Sequence, residues 1–220
     1  MKVLYIEARS KFDIPLAKLS EVKEKKIGLI STVQHLNQFP RVKEELQKLG
    51  KEVFTAKGAI TQHEGQILGC DVNAGLRVAQ QIEAFLYIGS GDFHPLHLAF
   101  KTKKPIYLLS EQGELEYLSQ ERVDSFLHKK KAAYVKFLHA DKVGIIVTIK
   151  PGQENLRLAT MLKERLEKKG KKAFIFLCDT LQIGELENFE CKVWINTACP
   201  GLQLETNFLN VADIADYFKS

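Results

Sequence analysis

The stretch that decides the fold is Phe85-Leu86-Tyr87-Ile88-Gly89-Ser90-Gly91-Asp92-Phe93-His94-Pro95. Its first four residues form an apolar run, which predicts a buried strand. The chain then breaks into a glycine turn and resumes as a helix with Pro95 in its first turn. This arrangement can hold an anionic or polar ligand, because small residues let the ligand approach the backbone and the first N–H groups of the helix point at it. A plain turn that binds nothing is the alternative of equal weight.

Strands and helices alternate on both sides of this stretch. Strands are predicted at 2–7, 27–32, 52–55, 84–88 and 105–109, and helices at 15–24, 37–49, 73–80 and 94–101. A long helix over 120–140 leads to a second series, with strands at 142–149, 173–178 and 192–196 and helices at 155–169 and 211–218. Such alternation predicts parallel sheets with helices on their faces. We therefore expect an α/β fold of two small doubly wound, Rossmann-like domains, 1–140 and 141–220.

The composition is that of a folded protein that needs no disulfide or structural metal. The chain has 220 residues, of which 45% are hydrophobic and 27% charged, and this is enough to build a core without disulfides or metals. The net charge of +5 lies largely in lysine runs without interleaved aromatic residues. This favours docking to an acidic protein or an RNA-bound partner over direct nucleic-acid binding. The sequence shows neither a signal peptide nor an apolar run of about 18 residues, so a cytoplasmic protein without a membrane span is expected.

Four widely spaced cysteines in a chain of this kind favour thiols or metal ligands over disulfides. Cys70 and Cys199 each lie in a loop beside Gly or Pro, where a thiolate could bind a soft metal or an iron–sulfur cluster. The alternative for each is a small buried hydrophobe. Cys178 and Cys191 lie next to predicted strands, and we interpret both as core or surface thiols.

Ligands of open parallel sheets bind beyond the carboxyl ends of the strands. Several candidates lie just past predicted strands and are expected to converge on one cleft: His35, Cys70, the loop 89–94, the Gly152 turn and Cys199. His94 and His97 could bind zinc in a hydrolase, but the sequence offers no third ligand at matching spacing, which favours helix capping or a hydrogen bond to the Gly89 loop. His63-Glu64 is either an acid–base pair or a loop contact. Motifs of serine hydrolases, Walker NTPases and dinucleotide enzymes are absent from the sequence.

A series of short segments points to a known family. In chain order they are Gln34-His35, Gly65-Gln66-Ile67-Leu68-Gly69-Cys70, Ile88-Gly89-Ser90-Gly91-Asp92-Phe93-His94-Pro95-Leu96, Lys150-Pro151-Gly152-Gln153 and Ala198-Cys199-Pro200. The series resembles the archaeal diphthamide synthase family, iron–sulfur enzymes of the first step of diphthamide biosynthesis. The similarity extends from the start of the chain to about Pro200.

The resemblance implies a chemistry. Members of the family have three related α/β domains, each of which gives one cysteine to a [4Fe–4S] cluster whose fourth iron stays open for S-adenosylmethionine. As non-classical radical-SAM transferases, they cleave a carbon–sulfur bond of that cofactor to make a 3-amino-3-carboxypropyl radical. The radical adds to a histidine of elongation factor 2. They act as homodimers in archaea and as heterodimers in eukaryotes.

Site residues follow from the same resemblance. Cys70 and Cys199 match the cluster ligands of the second and third domains. Residues on the S-adenosylmethionine side would be His35, Gly89, Ser90, Gly91, His94 and Gln153. No residue is assigned a catalytic role.

The sequence also departs from the family pattern. It begins where the second domain of the family begins, so the domain with the first cluster cysteine is expected to be missing or on another chain. Gly201 stands where the family has Arg after its last Cys-Pro. The chain is therefore interpreted as one subunit of a split transferase or as a fragment of one. The alternative is a degenerate, non-catalytic relative that binds a partner.

Overall fold

The computed structural model describes residue 4 and residues 6–199 and 207–219. The chain divides into two compact units between Asp124 and Ser125. The division falls within helix α4 (Gln120–His139), and the boundary predicted near Ala140 lies at the C-terminal end of that helix. Each unit contains one sheet flanked by helices, as the alternating pattern predicts.

The first unit has a five-stranded sheet in the order β2-β1-β3-β4-β5. Its strands are β1 (Lys26–Ser31), β2 (Glu52–Phe54), β3 (Ala84–Ile88), β4 (Ile106–Leu109) and β5 (Leu115–Tyr117). The first four are parallel, and β5 is antiparallel to β4 at the edge. Its helices are α1 (Phe39–Lys48), α2 (Asn73–Val78) and α3 (Phe93–Thr102), with 3₁₀ turns at Ala17–Glu21 and Val33–Gln38.

The central strand β3 explains why the apolar run decides the fold. All five of its residues are buried, because it is paired on both sides and covered on both faces. Buried positions of β1, α1 and β4 complete this core. The hydrophobic effect therefore places β3 at the centre and the glycine turn at its carboxyl end.

Three predictions for the first unit need correction. The strand predicted at 2–7 is wrong for the residues described there: residues 4, 6 and 7 are not in a strand, and Leu4 and Ile6 are 83% and 82% exposed. An apolar run becomes a strand only where it finds a hydrogen-bonded neighbour. The helix predicted at 15–24 is a single 3₁₀ turn, and the antiparallel strand β5 was missed because three residues carry too little periodicity.

The second unit has an all-parallel sheet in the order β7-β6-β8-β9. Its strands are β6 (Lys142–Thr148), β7 (Lys172–Cys178), β8 (Val193–Asn196) and β9 (Phe208–Asn210), and its helices beyond α4 are α5 (Leu156–Lys168) and α6 (Ile183–Leu186). Phe137, Val143 and Leu162 are among its buried core residues. The sequence missed the short elements α6 and β9, and the helix predicted at 211–218 is a 3₁₀ helix. Within the described ranges, no helix is both long and apolar enough to cross a membrane.

Gly144 lies against the indole of Trp194 in the second sheet, where a larger side chain would not fit. It pairs with Trp194 of β8, and a Cβ at Gly144 would lie 2.2 Å from Cε3 of the indole. Phe176 and Phe208 hold the indole between them, with ring centroids 4.9 and 6.5 Å away, so it cannot simply move aside. We expect Gly144→Ala to lower the free energy of unfolding by about 1–3 kcal/mol, measured by urea denaturation.

Gly184→Ala is the matched control for this substitution. Gly184 lies in the helix α6, and a Cβ there would meet nothing within 4 Å. The control should change the unfolding free energy by no more than about 1 kcal/mol, in the stabilising direction. Equal urea midpoints for the two variants would contradict the packing described here.

Candidate functional site

The parallel strands of the first unit end at one edge of the sheet, and the predicted site residues lie on the loops there. The 3₁₀ turn with His35 follows β1, the glycine turn 89–92 follows β3, and Glu111 follows β4 by two residues. β3 lies between β1 and β4 in the sheet, so the glycine turn emerges between the other two loops. This edge is where open parallel sheets bind ligands.

The glycine turn needs its glycines. Gly89 has φ +145° and Gly91 has φ +71°, conformations that other L-residues rarely adopt. A Cβ at Gly89 would also lie 2.9 Å from the hydroxyl of Tyr87. Gly89 is buried, whereas Ser90 and Gly91 are exposed at the tip of the turn. The exposed tip therefore presents backbone directly to solvent or to a ligand.

Helix α3 begins directly after this turn, and no side chain caps its N-terminus. Asp92 at the cap position instead forms an ion pair with Arg122, with 2.6 Å between Oδ2 and Nη2. Arg122 also pairs with Glu116 of β5. Because the Asp92 carboxylate is turned to Arg122, the N–H groups of the first turn of α3 can meet an anionic ligand.

His94 lies in the first turn of α3 against aromatic rings. It stacks on Tyr87 with ring centroids 6.4 Å apart and meets the edge of Phe93 at 5.0 Å. Burial lowers the pKa of His94 and raises the pKa of Tyr87 to about 12, because both charged forms would lose hydration. Both side chains are therefore neutral at pH 7.

His35 is almost fully buried, with 1% of its surface exposed. Its Nε2 lies 3.5 Å from Oε1 of Glu111, and its Nδ1 is buried without a hydrogen-bond partner among the described residues. Burial lowers the pKa of His35, and the negative charge of Glu111 opposes this shift. The sequence predicted His35 but missed Glu111, although its position two residues beyond a strand is the signal that would have found it.

Cys70 lies at the tip of a tight turn. Leu68 and Asp71 close the turn with two backbone hydrogen bonds: the N–H of Leu68 donates to the Asp71 carbonyl at 2.8 Å, and the N–H of Asp71 donates to the Leu68 carbonyl at 3.1 Å. Cys70 is exposed, whereas Asp71 is 1% exposed. The turn is attached to the sheet because the N–H of Ile67 donates to the carbonyl of Ser31, the last residue of β1, at 2.8 Å.

The buried carboxylate of Asp71 was missed by the sequence analysis. Desolvation alone would raise its pKa, but hydrogen bonds from Ile60, Asn73 and Thr61 outweigh the burial and lower the pKa to about 2. A carboxylate this strongly solvated by backbone N–H groups remains ionised at any physiological pH. The neighbour of the candidate ligand is therefore a fixed negative charge.

Cys199 in the second unit has a comparable setting. It follows β8, and Asn196 at the end of that strand is 3% exposed. The side-chain oxygen of Asn196 accepts from the N–H of Ala198 at 2.9 Å, and its Nδ2 donates to the carbonyl of Cys199 at 2.9 Å. Nδ2 also lies 3.0 Å from Oδ1 of Asn210. Asn196 thus holds the turn that carries Cys199.

The remaining predicted residue of the second unit lies on a turn after β6. Gln153 is exposed, and its N–H donates to the Lys150 carbonyl at 3.1 Å across the turn. By contrast, burial raises the thiol pKa of both Cys178 and Cys191. These two half-buried thiols are poor candidates for thiolate ligands.

His63 and His97, the other candidate histidines of the sequence analysis, contact different groups from those considered there. His63 pairs with Glu7 (2.6 Å between Nε2 and Oε1), whereas Glu64 accepts from the Thr55 hydroxyl. His97 packs on Phe93 with ring centroids 4.8 Å apart. Residues 6–199 and 207–219 contain no group of three or more His, Cys, Asp and Glu side chains arranged to hold a metal ion. Pro200 and Gly201, which belong to the family comparison, lie outside the described residues.

The first unit also contains a cavity of about 470 Å³ that includes none of the predicted site residues. It is lined by Glu21, Lys23, Glu24, Tyr107, Leu115, Glu116 and Tyr117.

Comparison with known proteins gives consistent matches. The family model described as "Putative diphthamide synthesis protein" matches residues 1–211. A 2-(3-amino-3-carboxypropyl)histidine synthase from Pyrococcus horikoshii is 32% identical over 191 residues, which cover 85% of this chain and 54% of that protein. A 2-(3-amino-3-carboxypropyl)histidine synthase subunit 1 from Debaryomyces hansenii is 24% identical over 219 residues, 94% of this chain and 51% of the relative.

Solved structures match over the same extent. The crystal structure of Dph2 from Pyrococcus horikoshii with a 4Fe–4S cluster superposes with a TM-score of 0.76 and 30% identity, covering 92% of this chain and 59% of that one. A second structure of the same protein gives a TM-score of 0.75. The chain thus spans about half the length of the curated relatives it matches.

The buried His35 and the half-buried His94 predict a pH dependence of stability. His35 and His94 have lowered pKa values in the folded state, so below about pH 6.5 the unfolded chain binds more protons than the folded chain. Stability should therefore fall as the pH drops from 7 to 5, measured from urea midpoints at constant ionic strength. Asp71, with its pKa of about 2, loses its own contribution only at lower pH, below about 4.

His94→Phe provides the check on this assignment. It keeps an aromatic ring against Tyr87 but removes one titrating group, so the loss of stability between pH 7 and 5 should become smaller. An unchanged loss in His94→Phe would show that His94 does not contribute to it, and a wild-type stability that is flat over this range would show that neither histidine does.

Proposed function

The chain belongs to the diphthamide synthesis protein family, and from this premise we propose that it is a component of a 2-(3-amino-3-carboxypropyl)histidine synthase. In this role it takes part in the transfer of the 3-amino-3-carboxypropyl group from S-adenosylmethionine to a histidine of elongation factor 2. The observation that carries the proposal is the exposed Cys70 on a closed turn that is bonded to the end of β1. The likeness to a solved structure titled with a 4Fe–4S cluster supports it.

Cys70 and Cys199 are the proposed cluster ligands. Each lies on a turn beyond a strand of its own unit, and each turn is held by a buried polar side chain. Cys178 and Cys191 are less suited to this role, because both thiols are half-buried and burial raises their pKa. A cluster held by three thiolates needs one ligand more, and we assign it to polypeptide outside these 220 residues, either further sequence of the same chain or a partner subunit.

The cluster would supply an open iron site that binds the amino acid end of the cofactor. For the amino acid end of the cofactor, the first unit offers the exposed turn residues Ser90 and Gly91 and the uncapped N-terminus of α3. These groups suit a carboxylate, because N–H donors and the positive end of the helix dipole stabilise negative charge. Gly89 and His94 shape the same turn, and Gln153 is a further proposed cofactor contact.

His35 suits the amino group at the same end of this ligand. A neutral imidazole whose Nδ1 has no partner among the described residues can accept a hydrogen bond from an amino N–H, and the lowered pKa of His35 keeps it neutral. Glu111 beside Nε2 favours the tautomer with the proton on Nε2, which leaves Nδ1 as the acceptor.

The partners follow from the proposed reaction. They are elongation factor 2, which places the protein in the cytoplasm, and a second polypeptide in a homodimer or heterodimer. The Debaryomyces hansenii relative is named as a subunit, which supports the second partner.

A cysteine series tests the proposal. The chain would be reconstituted anaerobically with iron and sulfide, alone and mixed with the portion of the Pyrococcus horikoshii relative that this chain does not cover. We expect Cys70→Ala and Cys199→Ala to abolish the brown colour and most of the bound iron of the assembled protein. The matched controls Cys178→Ala and Cys191→Ala should retain both, because their thiols are not ligands.

The same mixture would be assayed for transfer of label from carboxyl-labelled S-adenosylmethionine to elongation factor 2 in the presence of dithionite. Labelled elongation factor that depends on Cys70 and Cys199 is the expected result. A folded but colourless protein in both settings, with iron unaffected by either substitution, would refute the transferase and favour a non-catalytic partner protein of this family.

A further inference from the structure

We propose that Asp71 is a positioning residue that holds the Cys70 turn in its ligand-presenting shape before any metal binds. The proposal rests on the proposed role of Cys70 as a cluster ligand. It adds to that role a residue that touches neither metal nor cofactor and acts through the backbone of the turn.

The carboxylate of Asp71 organises two segments of chain at once. Its Oδ2 accepts from three successive backbone N–H groups, those of Ala59 and Ile60 at 2.7 Å and that of Thr61 at 3.2 Å. Its Oδ1 accepts from the backbone N–H of Asn73 at 3.0 Å and from its Nδ2 at 2.8 Å. One buried side chain therefore satisfies five donors that would otherwise need water.

The segment before the turn is shaped to fit this carboxylate. A Cβ at Gly58 would lie 2.5 Å from Oδ2 of Asp71 and 2.2 Å from Oγ1 of Thr61. Oγ1 of Thr61 accepts from the N–H of Gly58 at 3.1 Å and donates to the carbonyl of Gln66 at 3.2 Å. Residues 58–61 thus wrap around the carboxylate and also contact the chain that leads into the cysteine turn.

A continuous set of bonds connects this carboxylate to Cys70. The backbone of Asp71 closes the turn with Leu68, and Ile67 is bonded to Ser31 at the end of β1. Cys70 is thereby held between a residue anchored to the sheet and a residue anchored by five hydrogen bonds. Ordering a loop on binding costs conformational entropy, so a turn ordered in advance binds a metal more tightly than a mobile one.

The second unit contains an independent instance of the same arrangement. Asn196 precedes Cys199 by three residues and is buried, and its side chain bonds to the N–H of Ala198 and to the carbonyl of Cys199. In both units a buried polar side chain close in sequence to the cysteine holds its turn. This recurrence favours a role in presenting the thiol over a role in loop stability alone.

Asp71→Asn tests the proposal in the full chain. Asparagine has the same size, but its NH₂ group must face either the three donors at Oδ2 or the two at Oδ1, so one set loses its acceptor. A nitroxide label would be attached to Cys70 in a chain whose other three cysteines are alanine, without metal. We expect the rotational correlation time of the label to shorten roughly threefold in the variant, well below its unfolding temperature.

Two controls accompany this measurement. Asp13→Asn removes an exposed carboxylate that pairs with Arg41 at the surface, and it should leave the label on Cys70 unchanged. The same label on Cys199 should not respond to Asp71→Asn. If Asp71→Asn does not fold, Asn73→Ala removes only the Nδ2 donor at 2.8 Å and should shorten the correlation time in the same direction to a smaller extent.

Cluster retention separates a positioning role from a structural one. In the reconstituted assembly, Asp71→Asn should lose iron to a chelator about tenfold faster than the wild type, since its turn is no longer ordered in advance. Label mobility that is unchanged would overturn the proposal, and so would a faster label combined with wild-type iron loss. If the wild type takes up no iron, the proposed function fails, while the label on Cys70 still decides whether Asp71 orders the turn.

Discussion

The pairing of β1 on both of its edges is the interaction on which the first unit depends. On one edge β1 bonds to β3 along its length, and on the other it bonds first to β2 and then, at Ser31, to the segment 65–67. Because Ser31 exchanges backbone hydrogen bonds with Gly65 and Ile67, the loop that carries Cys70 continues the sheet instead of leaving it. The turn that carries Cys70 is consequently attached to the carboxyl end of β1, the edge at which the glycine turn after β3 also emerges.

Buried polar side chains hold the turns that follow the strands. Asp71 and Asn196 are nearly inaccessible to solvent, and each satisfies backbone groups of a turn that a strand alone could not hold. Each makes hydrogen bonds through both polar atoms of its side chain, which is the condition under which a buried polar group stabilises a structure instead of destabilising it. His35 differs from these two residues, since its buried Nδ1 has no hydrogen-bond partner among the described residues and could serve a polar ligand.

The sequence predicted most of the architecture because it depends on local signals. The apolar run 84–88 is the strand β3 to the residue, and the glycines of the turn have the positive φ angles that their residue type favours. The short elements β5, α6 and β9 were missed because three or four residues contain too few repeats of a strand or helix period to be recognised. The apolar run at 2–7 shows the reverse error, since periodicity without a pairing partner does not make a strand.

By itself, the sequence determined the α/β class, the family and the cysteines and glycines that form the candidate site. These properties are encoded in residue type and short spacing, which the unfolded chain already possesses. Only the tertiary structure decided the partners of the buried and charged groups. Glu111 lies beside His35, Arg122 forms an ion pair with Asp92, and the backbone N–H groups of residues 59–61 donate to Asp71. Hydrogen bonds and ion pairs between distant residues leave no periodic trace in the sequence, because their energy depends on distances and burial that exist only after the sheet has formed.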